Sequence, residues 1–114
     1  MNKQRFEKNL HIANELVTFC HSLGGVNFHI DIERGENSSF LTVRSFIPQI
    51  GEGVLDEFER ELNLKRQREV EQQYWELIGE FEESCEPGLV GMMLDSATTK
   101  YENGELVIRA ERRD

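Results

Sequence analysis

The chain has 114 residues, the size of one domain built around one core, and 38% of them are hydrophobic against 31% charged, which argues against wholesale disorder. A formal net charge of −9 and a pI near 4.8 repel a polyanion over most of the surface, so general nucleic-acid binding is excluded. No run reaches the ~18 apolar residues of a membrane span, and "MNKQRFEKNL" lacks the apolar stretch of a secretory leader, so a cytoplasmic protein with no membrane partner is expected.

From Phe6 the apolar positions Phe6, Leu10, Ala13, Val17 and Cys20, with Leu16 and Leu23 beside them, recur at intervals of four and three and wind one stripe along a helix. Gly24-Gly25 ends it, because glycine readily takes the left-handed conformation after a helix. The period then becomes two. Val26, Phe28, Ile30 and Ile32 alternate with Asn27, His29, Asp31 and Glu33, which predicts a strand with one face against the core. "RGENSS" supplies a turn, and Phe40 to Ile47 is the returning antiparallel strand, with Leu41 and Val43 on one face.

After the loop "PQIGEG", Val54 or Leu55, Phe58 and Leu62 return to helical spacing, and Val70, Tyr74, Leu77 or Ile78, and Phe81 continue it. Either Asn63 breaks this stretch into two helices or one long helix runs through; "LKRQRE" carries no strong stop signal, so a nearly continuous helix is the favoured expectation up to "SCEPG". Leu89, Met92 or Met93, and Ala97 predict a short buried helix. "ENG" between "TTKY" and "ELVIRA" places Asn-Gly where a type I′ hairpin needs positive φ, with Leu106, Ile108 and Ala110 facing the core. The expected fold is α+β, a single domain over residues 1–114 in the order α-β-β-α-α-β-β. Its layers form a two-layer α/β sandwich with the helices on one face of a four-stranded mixed sheet.

Few residues point to chemistry directly. Cys20 and Cys85 suggest reduced thiols rather than a disulfide framework, and with His11, His21 and His29 they show no metal-binding spacing. Cys20 and His21 are adjacent, so on a helix their side chains diverge by about 100° and form no nucleophile–base pair. Neither a catalytic residue nor a metal ligand is assigned. Between Glu52 and Glu86, twelve acidic residues face only Arg60, Lys65, Arg66 and Arg68, which makes either a solvated helix face or a docking surface for a basic partner. Gly51 and Gly53 in "QIGEG" either aim amide groups at an anion or simply turn the chain into a helix. Gly88 and Gly91 in "PGLVG" pose the same choice between anion contact and close packing.

In their order, these pieces resemble the histidine-kinase-like ATPases, the GHKL group, and in layout the small anti-sigma-factor kinases. The likeness runs from "NELVTFCHSLGG" to "YENGELVIRAER". In that family a first helix carries an acidic residue and, four positions later, an asparagine that holds magnesium. An Asp-x-Gly-x-Gly loop then surrounds the adenine, a variable lid follows, and a Gly-rich segment opens a helix. The resemblance assigns Glu15 to the acidic position but puts Phe19 in place of the asparagine, and Gln49 in place of the aspartate ahead of Gly51 and Gly53. Gly88 and Gly91 stand in the last segment, with "GLVG" departing from the G-x-G-L-G spacing. Without the asparagine oxygen, magnesium loses its main anchor.

The resemblance therefore implies a scaffold that has lost its reaction. Gly88 and Gly91 become packing residues, and the acidic helical insert at about 54–86 becomes an interaction arm in place of a lid. A small cytoplasmic regulatory or protein-interaction module, without catalysis or a required cofactor, is the leading expectation; its partner is a protein with a basic surface or a second copy. One alternative is residual binding of ATP or ADP through Glu15, Gln49, Gly51, Gly53, Gly88 and Gly91, in an adenine-nucleotide-binding protein or a serine kinase of the anti-sigma-factor type. Another is an unrelated α+β domain that dimerises through its helices, with Trp75 widening the Val70–Tyr74–Ile78–Phe81 stripe.

Overall fold

A computed structural model describes residues 3–64, 66–67, 69, 71–72, 90–91 and 93–113. The first helix, α1 (Lys3–Ser22), buries Asn9, Ile12, Ala13, Leu16 and Cys20, the line that spacings of three and four place on one side. Gly24 ends it at φ 96, with Gly25 N–H donating to Cys20 O and Gly24 N–H to His21 O, which satisfies two of the last carbonyls. Gly25 also sits so close to Ser45 that a Cβ there would collide with its hydroxyl, so the end of α1 rests directly on the sheet.

Four strands follow in two hairpins: β1 (His29–Arg34) with β2 (Ser38–Phe46), and β3 (Ser96–Glu102) with β4 (Glu105–Arg113). Asn103 and Gly104, at φ 54 and 81, make the positive-φ turn expected of "ENG". The sheet order is β1-β2-β4-β3, and every pairing is antiparallel. The expected mixed sheet is thus corrected: each hairpin is antiparallel, and β2 meets β4 head to tail as well. That central pairing sets Leu41 opposite Ala110 and Val43 opposite Ile108, all at most 1% exposed. One cluster joins them to Ile12 and Leu16 of α1 and to Phe58 and Leu62 of α2 (Val54–Leu62). Each such side chain, fully buried, contributes about 1.5–3 kcal/mol.

Three further expectations change. Of the two readings of the helical stretch after Gly53, the break at Asn63 is the one found: α2 ends at Leu62, Arg66 and Gln67 are not helical, and Glu69, Glu71 and Gln72 are helical again, because Asn63 turns its side chain to the sheet instead of continuing the turn. Ala97, expected in a short helix, belongs to β3, and of that helix Val90 and Gly91 are helical. The apolar line of the first strand is not driven into the core: Ile32 is partly buried, but Val26, Phe28 and Ile30 are exposed. The expectations for Val70, Tyr74, Trp75, Leu77, Ile78, Phe81, Cys85, Leu89 and Met92 lie outside the described residues.

Candidate functional site

The two outer strands of the sheet are treated differently. At the β3 edge, residues 59 and 63 of the helical stretch project from one side, four positions apart, and act as a substitute strand. Asn63 Nδ2 donates to Ala97 O at 2.8 Å while Asn63 Oδ1 accepts Ala97 N–H at 2.9 Å. Glu59 Oε1 accepts Thr99 N–H, two residues further along, where the next outward amide falls. Groups that an edge leaves unpaired are here bonded by side chains.

The β1 edge has no such cover among the described residues. Ile30 and Ile32 oppose Val43 and Leu41 and so lie on the core-facing side, yet Ile30 is 50% exposed, Phe28 38% and Val26 67%. The reason is position: α1 lies against β2 and leaves the outer strand beyond it. One flank of α1 looks toward α2, with Phe19 stacked on Phe58 at 3.6 Å between centroids and 6° between planes. The opposite flank looks toward β1, where the His21 ring lies 6.3 Å from that of Phe28. Helical spacing puts Phe6, Leu10 and Val17 on this second flank, and Phe6 and Leu10 are exposed. Strand and helix flank together form an apolar shelf that ends, among the described residues, in a strand with no outer neighbour.

The residues named for a nucleotide are placed as follows. Glu15 is buried at 5% exposure, with His11 Nε2 at 3.6 Å from its carboxylate. Gln49, Gly51 and Gly53 are exposed in the loop before α2, and Gly53, at φ 81, starts the helix. Glu52 precedes that start and Asp56 and Glu57 fill the first turn, so carboxylates already occupy the positive end that a phosphate would seek. Gly91 is buried, and a Cβ on it would overlap Glu61 O and crowd Leu62 Cα, so its bareness lets the segment before β3 seat against the end of α2. Gly88 lies outside the described residues. Among the described residues no three His, Cys, Asp or Glu side chains gather as a metal site.

A second feature escaped the sequence altogether. Arg66 pairs with Glu71 at 3.3 Å and Asp95 at 2.8 Å, and Arg112 pairs with Glu71 and donates to Met93 O. All four side chains are at most 18% exposed, and their formal charges cancel, as buried ions require. The quartet fastens the chain after α2 to the end of β4; its partners lie up to 46 residues apart, from Arg66 to Arg112, so no local pattern announces it. The exposed β1 shelf left only a faint signal, the charges of "HIDIER" between its isoleucines, because period two reports a face and not a place in the sheet.

No helix among the described residues is long and apolar enough to cross a membrane. Compared with known proteins, the chain matches no family model, no curated protein sequence and no solved structure.

Proposed function

We propose that this chain is a small regulatory module without catalysis that acts by binding protein at the β1 shelf, in a cytoplasmic setting. The carrying observation is an apolar edge at Phe28 and Ile30, with no neighbouring strand among the described residues, in a domain that shields its other edge with Asn63 and Glu59. Exposed apolar residues beside a free strand edge mark a place where another chain adds. The proposed scaffold is a two-layer sandwich with both helices over one face of the sheet, supported by the single core that Leu16 and Phe58 share with Val43 and Ile108.

The likeness to histidine-kinase-like ATPases enters as a proposal about the origin of this scaffold, with its nucleotide chemistry gone. Phe19 spends its ring on Phe58, and Asp56 and Glu57 repel phosphate at the start of α2. Titration with ATP and with ADP, with and without magnesium, is expected to give neither heat nor a raised melting temperature at millimolar nucleotide. A ligand at ~100 times its Kd would stabilise the fold by ~2.7 kcal/mol, and such a gain would replace this proposal by nucleotide binding. Affinity capture with the whole chain is the positive test. A protein bound by the wild type and lost with Ile30→Asp supports the shelf, and equal capture by both removes it.

A further inference from the structure

The shelf also carries the signature of its occupant. We infer that the β1 edge receives a second copy of this chain, whose own β1 adds antiparallel about a two-fold axis passing between the two Ile30 residues. This rests on the interaction role proposed for the same edge and names the partner.

Self-complementarity selects the register. A two-fold axis normal to the sheet keeps each residue on its own face, so residues that meet across it must share parity, or the apolar line would be broken. An axis at Asp31 sets that carboxylate against its own copy, and one at Ile32 sets Asp31 against Glu33; both juxtapose like charges. An axis at His29 leaves a single residue of β1 paired with β1. With the axis at Ile30, by contrast, Ile30 meets Ile30 and Phe28 meets Ile32 on the core-facing side, while His29 meets Asp31 on the outer side. Val26 N–H donates to Phe46 O and Asn27 Oδ1 accepts Phe46 N–H, so the chain before Phe28 turns its polar groups toward β2, and the pairs across the axis are those from Phe28 to Ile32.

The helices fit the same arrangement. Strands lie ~4.8 Å apart, so the two β2 strands would be separated by three spacings, ~14 Å, with an α1 lying against each. Helices are about 10–12 Å across with their side chains, which brings the two flanks bearing Phe6 and Leu10 together above Phe28 and Ile30. Surfaces exposed in one copy thereby cover one another, and the β1 edge disappears into a sheet continuous across both copies.

The test measures the mass of the full chain by sedimentation over micromolar to millimolar concentration. The wild type is expected to reach twice the monomer mass, and Ile30→Asp, which would set two carboxylates face to face on the axis, to stay monomeric with an unchanged far-UV circular dichroism spectrum. Should Ile30→Asp fail to fold, Ile30→Thr keeps the β-branched shape and is expected to weaken association at least tenfold. Register is read by mild oxidation in a Cys85→Ser background. Ile30→Cys is expected to cross-link, because directly opposed residues have Cα atoms ~4.5–5.5 Å apart, within disulfide reach. Asp31→Cys and Ile32→Cys are expected not to.

A wild type that stays monomeric overturns the proposal, as does a dimer indifferent to both Ile30 variants, or cross-linking at 31 or 32 instead of 30. A monomeric wild type that still captures another protein, lost with Ile30→Asp, removes the second copy while leaving the interaction role standing. A monomer that captures nothing removes both.

Discussion

The β3 and β1 edges belong to the same antiparallel sheet, are similar in length, and end up with opposite characters. At β3, Asn63 and Glu59 bond the outward groups of Ala97 and Thr99, so the last strand behaves as though it had a neighbour. At β1, the described residues supply no neighbour, and Phe28 and Ile30 face solvent beside the exposed flank of α1. A domain able to close one edge with two side chains has shown how little closure requires. On the proposed reading, the open one is left for a partner chain.

The sharpest way to break this comparison is to attack what joins the two edges. Leu41→Ala, at the centre of the β2–β4 pairing with Leu41 at 0% exposure, is expected to cost about 2–5 kcal/mol in urea unfolding. A loss under ~1 kcal/mol would mean that the hairpins do not share one closed core. Asn63→Ala should cost about 1–3 kcal/mol, since it strands an amide and a carbonyl of Ala97 that are partly buried. It should also raise the tendency to aggregate, because it reopens β3. Asn63→Asp, which keeps an acceptor for the amide but loses the donor, should fall between.

Gly91→Ala tests the seat that holds α2 in place. The added methyl meets Glu61 O, a backbone atom that cannot swing away, so a loss of about 1–3 kcal/mol is expected in the same measurement. At the other edge Ile30→Thr should change unfolding free energy by no more than ~0.5 kcal/mol at concentrations where the wild type is monomeric. Half of Ile30 is already in water. If Ile30→Thr proved as costly as Asn63→Ala, the two edges would not differ as described.

Much of the fold could be read from residue order. The stripe of Ala13, Leu16 and Cys20, the Gly24-Gly25 stop, the alternation through Leu41 and Val43 and the Asn103-Gly104 turn all rest on backbone conformations and periods of a few residues. Asn63 could be read as a possible break but not as a certain one, and Ala97 not as a strand residue, because the interaction that stops the helix and claims Ala97 for a strand spans 34 positions. Likewise Arg66, Glu71, Asp95 and Arg112 look like ordinary charges on a polar segment until the fold buries them together. Of the residues named for a nucleotide, Gly91 has a definite packing role, while Val26, Phe28 and Ile30, whose alternation predicts a core face, are exposed.

The amino-acid sequence by itself determined which segments are helix and strand at α1, β1, β2 and β4 and which face of each strand is apolar, since those follow from side-chain spacing and turn chemistry along the chain. Tertiary structure alone decided which strands became edges, which edge α2 would close, and which apolar residues stayed in water. Such outcomes depend on how many layers lie over each strand, a property of the assembled sheet that no window of neighbouring residues contains.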